Sequence, residues 1–268
     1  MMYVAYPITK IKNILSQVSG IKKMKKINLL MVTLLTLVLC SLEMKSQSDC
    51  YNANGCNTTW STSWMGVVYP QFPTCTLTVE VKTRICNGKT QVWCRGIYFY
   101  DPFSDCSAMI NWLWPNGWQQ GQSPDPIRAQ SVFNYVYEDI MKQLFKTATQ
   151  SMKSLFLCGA PPYMPEWAEY TYYKASCQSL CWALMSQATH PDFQFMYLGY
   201  QHCFDECCQV IIKYCWATAN ATEPTVTRTV IPSPNQPNCE TYPKPSCNFP
   251  PGTIIMQGQG DCSSQNCQ

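Results

Sequence analysis

Apolar and polar residues alternate along residues 75–85, CTLTVEVKTRI. Alternation with a period of two predicts a β-strand with one buried face. Asn87-Gly88 follows, and this dipeptide favours a type I′ turn because both residues tolerate a positive φ. A second strand is therefore expected to return through Tyr98 and complete a β-hairpin.

The charges of this hairpin indicate its register. A two-residue turn places Glu80 opposite Arg95, and an opposite-charge pair across two strands supports that alignment. Gly96 then falls opposite Val79. A glycine inside a strand is a candidate bulge, so we expect the pairing to shift there.

A helical period begins after Asp125-Pro126, which is typical of an N-cap followed by proline at the first helical position. The apolar residues that recur at helical spacing are Ala129, Val132, Phe133, Val136, Ile140, Leu144 and Ala148. The pattern can continue to Leu155, and Gly159 with Pro161 predicts its end. One long amphipathic helix is expected, and its apolar face needs a sheet or a partner.

The remaining patterns are shorter. The tyrosine-rich stretch 168–177 predicts a strand, and residues 179–188 predict a short helix. Residues 209–218 and 225–231 are rich in β-branched side chains and predict a second hairpin. From Pro232 onward the chain is rich in proline and cysteine, and little regular structure is expected.

These elements predict an α+β fold that is disulfide-rich, with two β-hairpins or small antiparallel sheets and one long amphipathic helix. The predicted domain covers residues 47–231, and residues 232–268 form a Pro/Cys-rich C-terminal tail.

Residues 22–48 have the order of a secretory signal peptide: lysines, then an apolar run, then small polar residues. The apolar run, residues 27–40, is shorter than the about 20 residues of a membrane-spanning helix. We therefore interpret residues 1–46 as an upstream extension plus a leader, and predict a secreted protein, extracellular or at the cell surface, without a transmembrane span in the mature chain. Lipidation of Cys40 is the alternative, although Leu39 before it departs from the small residue that lipidation needs.

The net charge depends on this leader. The chain has 19 basic and 16 acidic residues, but residues 47–268 hold 12 and 15, a formal charge of −3. A mildly acidic protein lacks the basic surface that binding to phosphate backbones requires. Nucleic acid is therefore excluded as an expected partner, and no other partner can be identified from the sequence.

Seventeen of the 18 cysteines follow residue 46. In an exported chain this density indicates a disulfide framework. The cysteines assigned to structural disulfides are Cys75, Cys86, Cys94, Cys106, Cys177, Cys181, Cys203, Cys207, Cys208, Cys215, Cys239, Cys247, Cys262 and Cys267. The odd number leaves one cysteine that is free, modified or bonded to a second chain.

The hairpin geometry limits the pairing. Cys94 lies opposite Val81, about 20 Å along the strand from Cys75, whereas the Cα atoms of a disulfide lie within about 7 Å. Cys86 points to the other face, so these three cysteines cannot pair with one another. Cys106, just past the second strand, is a candidate partner for Cys75.

The segment HCFDECC, residues 202–208, raises two other interpretations. Cys177, Cys181, His202 and Cys203 have spacings that resemble a zinc site, although only two histidines exist in the chain. A free cysteine beside His202 could instead be a nucleophile, but no third orienting group is identifiable. Disulfides remain the preferred interpretation, and no metal or other cofactor is expected.

The sequence indicates only a broad functional class. Glycine-rich phosphate loops, HExxH and GxSxG motifs are missing from the sequence. Trp112, Trp114 and Trp118 surround a Pro-Asn-Gly turn and are candidate ligand-binding residues that could stack on sugar rings, while core packing is the commoner fate of such rings. We therefore expect a non-catalytic extracellular or cell-surface binding or structural module, with glycans as the first candidate ligand.

The alternative is an extracellular hydrolase that uses acidic pairs such as Glu166 with Glu169 or Asp205 with Glu206. A glycosidase needs two carboxylates at a fixed separation, and sequence proximity does not establish that separation. Whether the protein is an enzyme is thus left open, and no catalytic residue is assigned.

Overall fold

The structure, a computed structural model, describes Cys50 and residues 56–119, 121–162, 164–187, 189–190, 192–203, 207–232 and 238–264. The predicted leader, residues 1–46, lies outside them. The strands are β1 (Ser61–Val68), β2 (Thr76–Cys86), β3 (Lys89–Phe99), β4 (Glu169–Ala175), β5 (Cys177–Ser186), β6 (Gln194–His202), β7 (Cys207–Cys215), β8 (Thr225–Ile231), β9 (Thr253–Gln259) and β10 (Ser263–Ser264). The α-helices are α1 (Ser107–Leu113), α2 (Pro126–Thr149) and α3 (Pro165–Ala168), and 3₁₀ turns follow at Gln150–Phe156 and Cys239–Thr241.

All these strands join one mixed sheet, so the expectation of two hairpins or small separate sheets was wrong in its arrangement. The fold contains both predicted hairpins and the long helix, but the sheet dominates it. β2 pairs along one edge of β3, and β4 and β6 share the other edge. The β4 pairing is parallel, so strands distant in sequence meet at β3.

The β2–β3 hairpin has the predicted turn. Asn87 and Gly88 have φ values of 52° and 71°. The pairing follows the predicted register from the turn as far as Val81 and Cys94, and it shifts beyond them. This shift is the predicted bulge.

The residues at the bulge are held by polar and steric contacts. The guanidinium of Arg95 lies 3.5 Å from the Glu80 carboxylate, so the predicted ion pair is present. The ring of Tyr197 lies over Gly96 and Gly199, and a Cβ at either glycine would overlap that ring. The Tyr197 hydroxyl donates to the carbonyl of Arg95 over 3.2 Å.

Helix α2 confirms the predicted long helix. The Asp125 carboxylate accepts hydrogen bonds from the backbone amides of Ile127 and Arg128, each at 3.0 Å, and Pro126 occupies the first turn. The buried residues of α2 are Ala129, Val132, Phe133, Val136, Tyr137, Ile140, Met141, Phe145 and Thr149. They pack on one face of the sheet in the largest apolar cluster.

Strand β5 corrects the helix expected at residues 179–188. All ten residues of Cys177–Ser186 are buried, and they pair with β6 on one edge and with β9 and β10 on the other. A strand that is buried on both faces has no alternation of apolar and polar residues. Periodicity therefore cannot distinguish it from a buried helix.

The C-terminal region is also more regular than expected, because β9 and β10 join the sheet through β5. The strand expected at 168–177 is β4. The second hairpin is confirmed as β7–β8, with Cys215 opposite Thr225 next to the turn.

Seven disulfides connect the described residues: Cys50–Cys207, Cys56–Cys86, Cys75–Cys106, Cys158–Cys215, Cys177–Cys239, Cys181–Cys247 and Cys203–Cys262. The Cys75–Cys106 pair is the one proposed from the hairpin geometry. The bonds of Cys50, Cys56 and Cys158 were not anticipated. This framework is consistent with an extracellular protein, and none of the helices in the described ranges has the length and apolarity to cross a bilayer.

Candidate functional site

The HCFDECC segment is a point of cross-linking. Cys203 is bonded to Cys262 and Cys207 to Cys50. Cys208 is also disulfide-bonded, and the predicted participant Cys267 lies outside the described residues. The segment thus joins the sheet to chain regions far away in sequence.

The zinc alternative for this region is incompatible with these bonds. Cys177, Cys181 and Cys203 are each disulfide-bonded. Zinc binds a thiolate, and the sulfur of a disulfide is not a thiolate. His202 instead places Nδ1 3.8 Å from the sulfur of Cys50. The described part of the chain contains no cluster of three or more His, Cys, Asp or Glu suited to a metal.

Cys94 was assigned to a disulfide, and this assignment was wrong. It is the free cysteine among the described residues and is buried in β3. Burial raises the pKa of its thiol far above the ordinary range, which disfavours the thiolate that a nucleophile needs. An interchain bond through Cys94 would require this part of the core to open.

The three predicted tryptophans have different environments. Trp114 is 2% exposed, and its ring packs edge-on against Trp182 with 5.6 Å between centroids. Its indole therefore belongs to the core. Trp112 and Trp118 are half-buried, and Trp118 lies 5.6 Å from the ring of the exposed Phe103.

The ring of Trp112 belongs to a small aromatic group at the start of α2. Its centroid lies 5.4 Å from Phe72 and 6.0 Å from Tyr69. The guanidinium of Arg128 lies 5.5 Å from the same ring, in cation–π contact. These contacts fix Trp112 in place and cover part of its surface.

A second set of rings lies on the sheet face opposite α2, with its two end members exposed and Tyr98 buried. We call Trp64, Tyr98, Tyr100 and Phe193 the aromatic strip. The centroids are separated by 5.1 Å from Trp64 to Tyr98, 6.1 Å from Tyr98 to Tyr100, and 5.7 Å from Tyr100 to Phe193. Trp64 is 54% and Phe193 40% exposed, so the strip presents apolar ring surface to solvent at both ends.

The strip is anchored by buried neighbours. Tyr98 contacts Phe195 and Tyr197 of β6 at 5.9 and 5.3 Å. Burial and the neighbouring charges of Tyr197 and Glu80 raise the pKa of Tyr98 above its ordinary value. The phenol therefore keeps its proton and remains a hydrogen-bond donor.

One end of the strip opens into a depression of about 580 Å³ in the β5–β6 connection. The residues that line it are Gln187, Thr189, His190, Asp192 and Phe193. Backbone hydrogen bonds shape this connection, with the amide of Gln187 donating to the carbonyl of Phe193 over 3.2 Å. The depression combines one ring with amide, hydroxyl, imidazole and carboxylate groups.

Sequence reasoning did not select Trp64 or Phe193. A signal for the second was present, because Phe193, Phe195 and Tyr197 alternate and alternating residues share a face of a strand. Trp64 lies in the edge strand β1 without a comparable pattern. Only the pairing of Trp64 with Glu80 brings it beside Tyr98.

Of the acidic pairs proposed for hydrolysis, the structure describes Glu166 and Glu169. Glu169 binds Lys213 and Lys89 at 2.9 and 3.3 Å. Burial alone would raise the pKa of Glu169, but hydrogen bonds from these two lysines outweigh it and lower the pKa. Glu169 is thus held in a structural ion-pair network, while Asp205 and Glu206 lie outside the described residues.

Comparison with known proteins gives no match: no family model, curated protein or solved structure is significantly similar to the chain.

Proposed function

We propose that the protein is a secreted, non-catalytic binding module that recognises glycans through the aromatic strip and the adjoining depression. The observation that carries this proposal is a row of rings, exposed at Trp64 and Phe193, that ends at a depression with several hydrogen-bonding side chains. Soluble proteins rarely expose contiguous apolar surface unless it takes part in an interaction.

Carbohydrate chemistry fits this combination. A pyranose ring has an apolar C–H face that can stack on Trp64 or Phe193, and its hydroxyl groups need donors and acceptors around the ring. Gln187, Thr189 and Asp192 supply such groups beside Phe193.

The same depression favours binding over hydrolysis. Among the described residues that line it, Asp192 is the one carboxylate. Glycoside hydrolysis ordinarily uses two carboxyl groups separated by about 5–9.5 Å across the scissile bond. The hydrolase alternative would need a second acid that this lining does not contain.

The proposal is tested with the purified mature chain, disulfides intact, against insoluble polysaccharides and a glycan array. Retention on at least one polysaccharide is expected, and Trp64→Ala or Phe193→Ala should each weaken binding about tenfold, since each removes one stacking surface. Both side chains are exposed, so the variants should keep the parent's melting temperature.

The matched controls are Trp112→Ala and Trp118→Ala, which alter the aromatic residues that the sequence first suggested. They should leave glycan binding unchanged if the strip is the site. Loss of binding in these two variants alone would move the site to the Trp112 surface. Absence of retention by every glycan would overturn the proposal, and release of reducing ends that Asp192→Asn abolishes would favour the hydrolase.

A further inference from the structure

The sheet opens between β4 and β6, which share one edge of β3. β4 pairs with β3 at Thr90 and Gln91, and β6 pairs with it at Ile97–Phe99. Residues 92–96 of β3 therefore face a gap between the two strands. Helix α2 crosses this gap, where the hydroxyl of Tyr137 accepts a hydrogen bond from the amide of Cys94 over 3.2 Å.

A cavity of about 30 Å³ occupies the gap. This volume suits one or two species of the size of water, and it is too small for an organic ligand. Among the described residues that line it are the basic side chains of Lys174, Arg95 and His202, and none is an aspartate or a glutamate. The described walls thus carry basic side chains and no acidic one.

Lys174 is the unusual member of this lining. It is 6% exposed, and its ammonium donates a short hydrogen bond to the side-chain oxygen of Asn134. Within the described residues, no carboxylate oxygen lies within 4.0 Å of its nitrogen. Arg95 differs, because Glu80 compensates its charge.

Among the described residues, the charges that act on Lys174 belong to Arg228 and Glu138, and neither supplies a counter-ion in contact with it. Glu138 on α2 forms an ion pair with Arg228 of β8 at 3.3 Å, so Arg228 already neutralises its charge. Burial, with a smaller contribution from Arg228 and against that of Glu138, lowers the pKa of Lys174 to about 8. At neutral pH the amine is still mostly protonated. Its contacts are the neutral amide of Asn134 and the ring of Tyr172, whose centroid lies 5.8 Å from the nitrogen, and a buried ammonium without a counter-ion is costly.

We propose that the cavity beside Lys174 binds a halide-sized monovalent anion, which supplies the missing counter-charge. Chloride is close to water in size and so fits the cavity. The Lys174 ammonium would be its main ligand, and the Asn134 contact would hold that ammonium in place. This site is separate from the aromatic strip, and neither proposal depends on the other.

The test compares thermal unfolding of the mature chain in sodium chloride and in sodium gluconate at the same ionic strength. Chloride should raise the melting temperature by about 2–5 °C once its concentration exceeds the Kd about tenfold. Lys174→Met should abolish this difference. Lys213→Met, which removes an exposed lysine paired with Glu169, should keep it.

Bromide-soaked crystals of the parent protein provide a second measurement that does not depend on the variant folding. Anomalous density beside the Lys174 nitrogen is expected. A melting temperature that does not distinguish chloride from gluconate, an equal chloride effect in Lys174→Met, or a water molecule without anomalous signal in the cavity would each overturn the proposal.

Discussion

Helix α2 and the C-terminal segment, residues 238–264, are attached to the same sheet by different means. The 24 residues of α2 contain no cysteine, and nine of them are buried. The C-terminal segment instead carries Ile254 and Ile255 at 42% and 44% exposure, and three disulfides bind it to β5 and to the end of β6.

The difference shows where this fold uses covalent bonds. An element with a wide apolar face is stabilised by burying that face. The gain in free energy is about 25 cal/mol for each Å² of apolar surface removed from water. The C-terminal segment buries few large side chains, and its cysteines restrict the unfolded chain instead. At the C-terminal segment, disulfides therefore stabilise a region that hydrophobic burial serves poorly.

The largest effect is expected from the helix. Phe145 is fully buried and contacts Trp216 and Tyr214 at 5.4 and 5.5 Å. Phe145→Ala should lower the free energy of unfolding by about 3–5 kcal/mol, because it removes buried apolar surface and leaves a cavity. Denaturant unfolding under non-reducing conditions, followed by circular dichroism, measures the change.

Ile127→Ala on the same helix is the matched control, since Ile127 is exposed and its loss should cost less than about 0.5 kcal/mol. Equal costs for the two variants would show that α2 is not held by its apolar face.

Removal of a disulfide from the C-terminal segment should give a smaller and more local loss. The double variant Cys181→Ala with Cys247→Ala opens a bond that spans 66 residues and should cost about 2–4 kcal/mol. Limited proteolysis should cut residues 238–264 first, while amides of α2 stay protected from hydrogen exchange. Simultaneous loss of protection in both regions would contradict the comparison.

Lys174 is a charged residue buried beneath α2, so it tests whether the interface of this helix tolerates a charge. Its folded-state pKa of about 8 lies below the ordinary 10.5, so the unfolded chain binds more protons between these values. Stability should therefore rise with pH there, by about 1 kcal/mol from about pH 7 to about pH 9 in a chloride-free buffer. Lys174→Met should remove this contribution, and it is measured as the difference between the two proteins' pH profiles.

This difference isolates Lys174 from the groups that act in the opposite sense. Burial raises the pKa of the Cys94 thiol, and the buried tyrosines behave alike, so their contributions reduce stability as the pH rises. A pH profile that is unchanged by Lys174→Met would mean that its ammonium is not destabilised in the folded state.

The elements that could be predicted from the sequence are those with local signals. The Asn87-Gly88 turn, the Glu80–Arg95 pair and the Asp125 cap each act within a short stretch of chain. β5 could not be recognised, because burial on both faces removes the alternation that identifies a strand. The pairing of β3 with β4 and β6 has no local signal, so the single sheet was missed.

The candidate site was harder to predict for the same reason. Three tryptophans close together in sequence suggested a binding surface, but Trp114 is packed in the core. Trp64 and Phe193 are 129 positions apart in the sequence (193 − 64), and only the sheet brings their rings into one strip. A single aromatic residue in a sequence does not reveal whether its ring faces solvent.

A peptide map of the mature protein, alkylated after denaturation and without reduction, tests the central claim that disulfides hold this fold. Among the described cysteines, only Cys94 should carry the alkyl group. Cross-linked peptides should contain Cys177–Cys239, Cys181–Cys247 and Cys203–Cys262. Alkylation at these six cysteines, or a stoichiometric metal bound through Cys203 and its neighbours, would contradict the account.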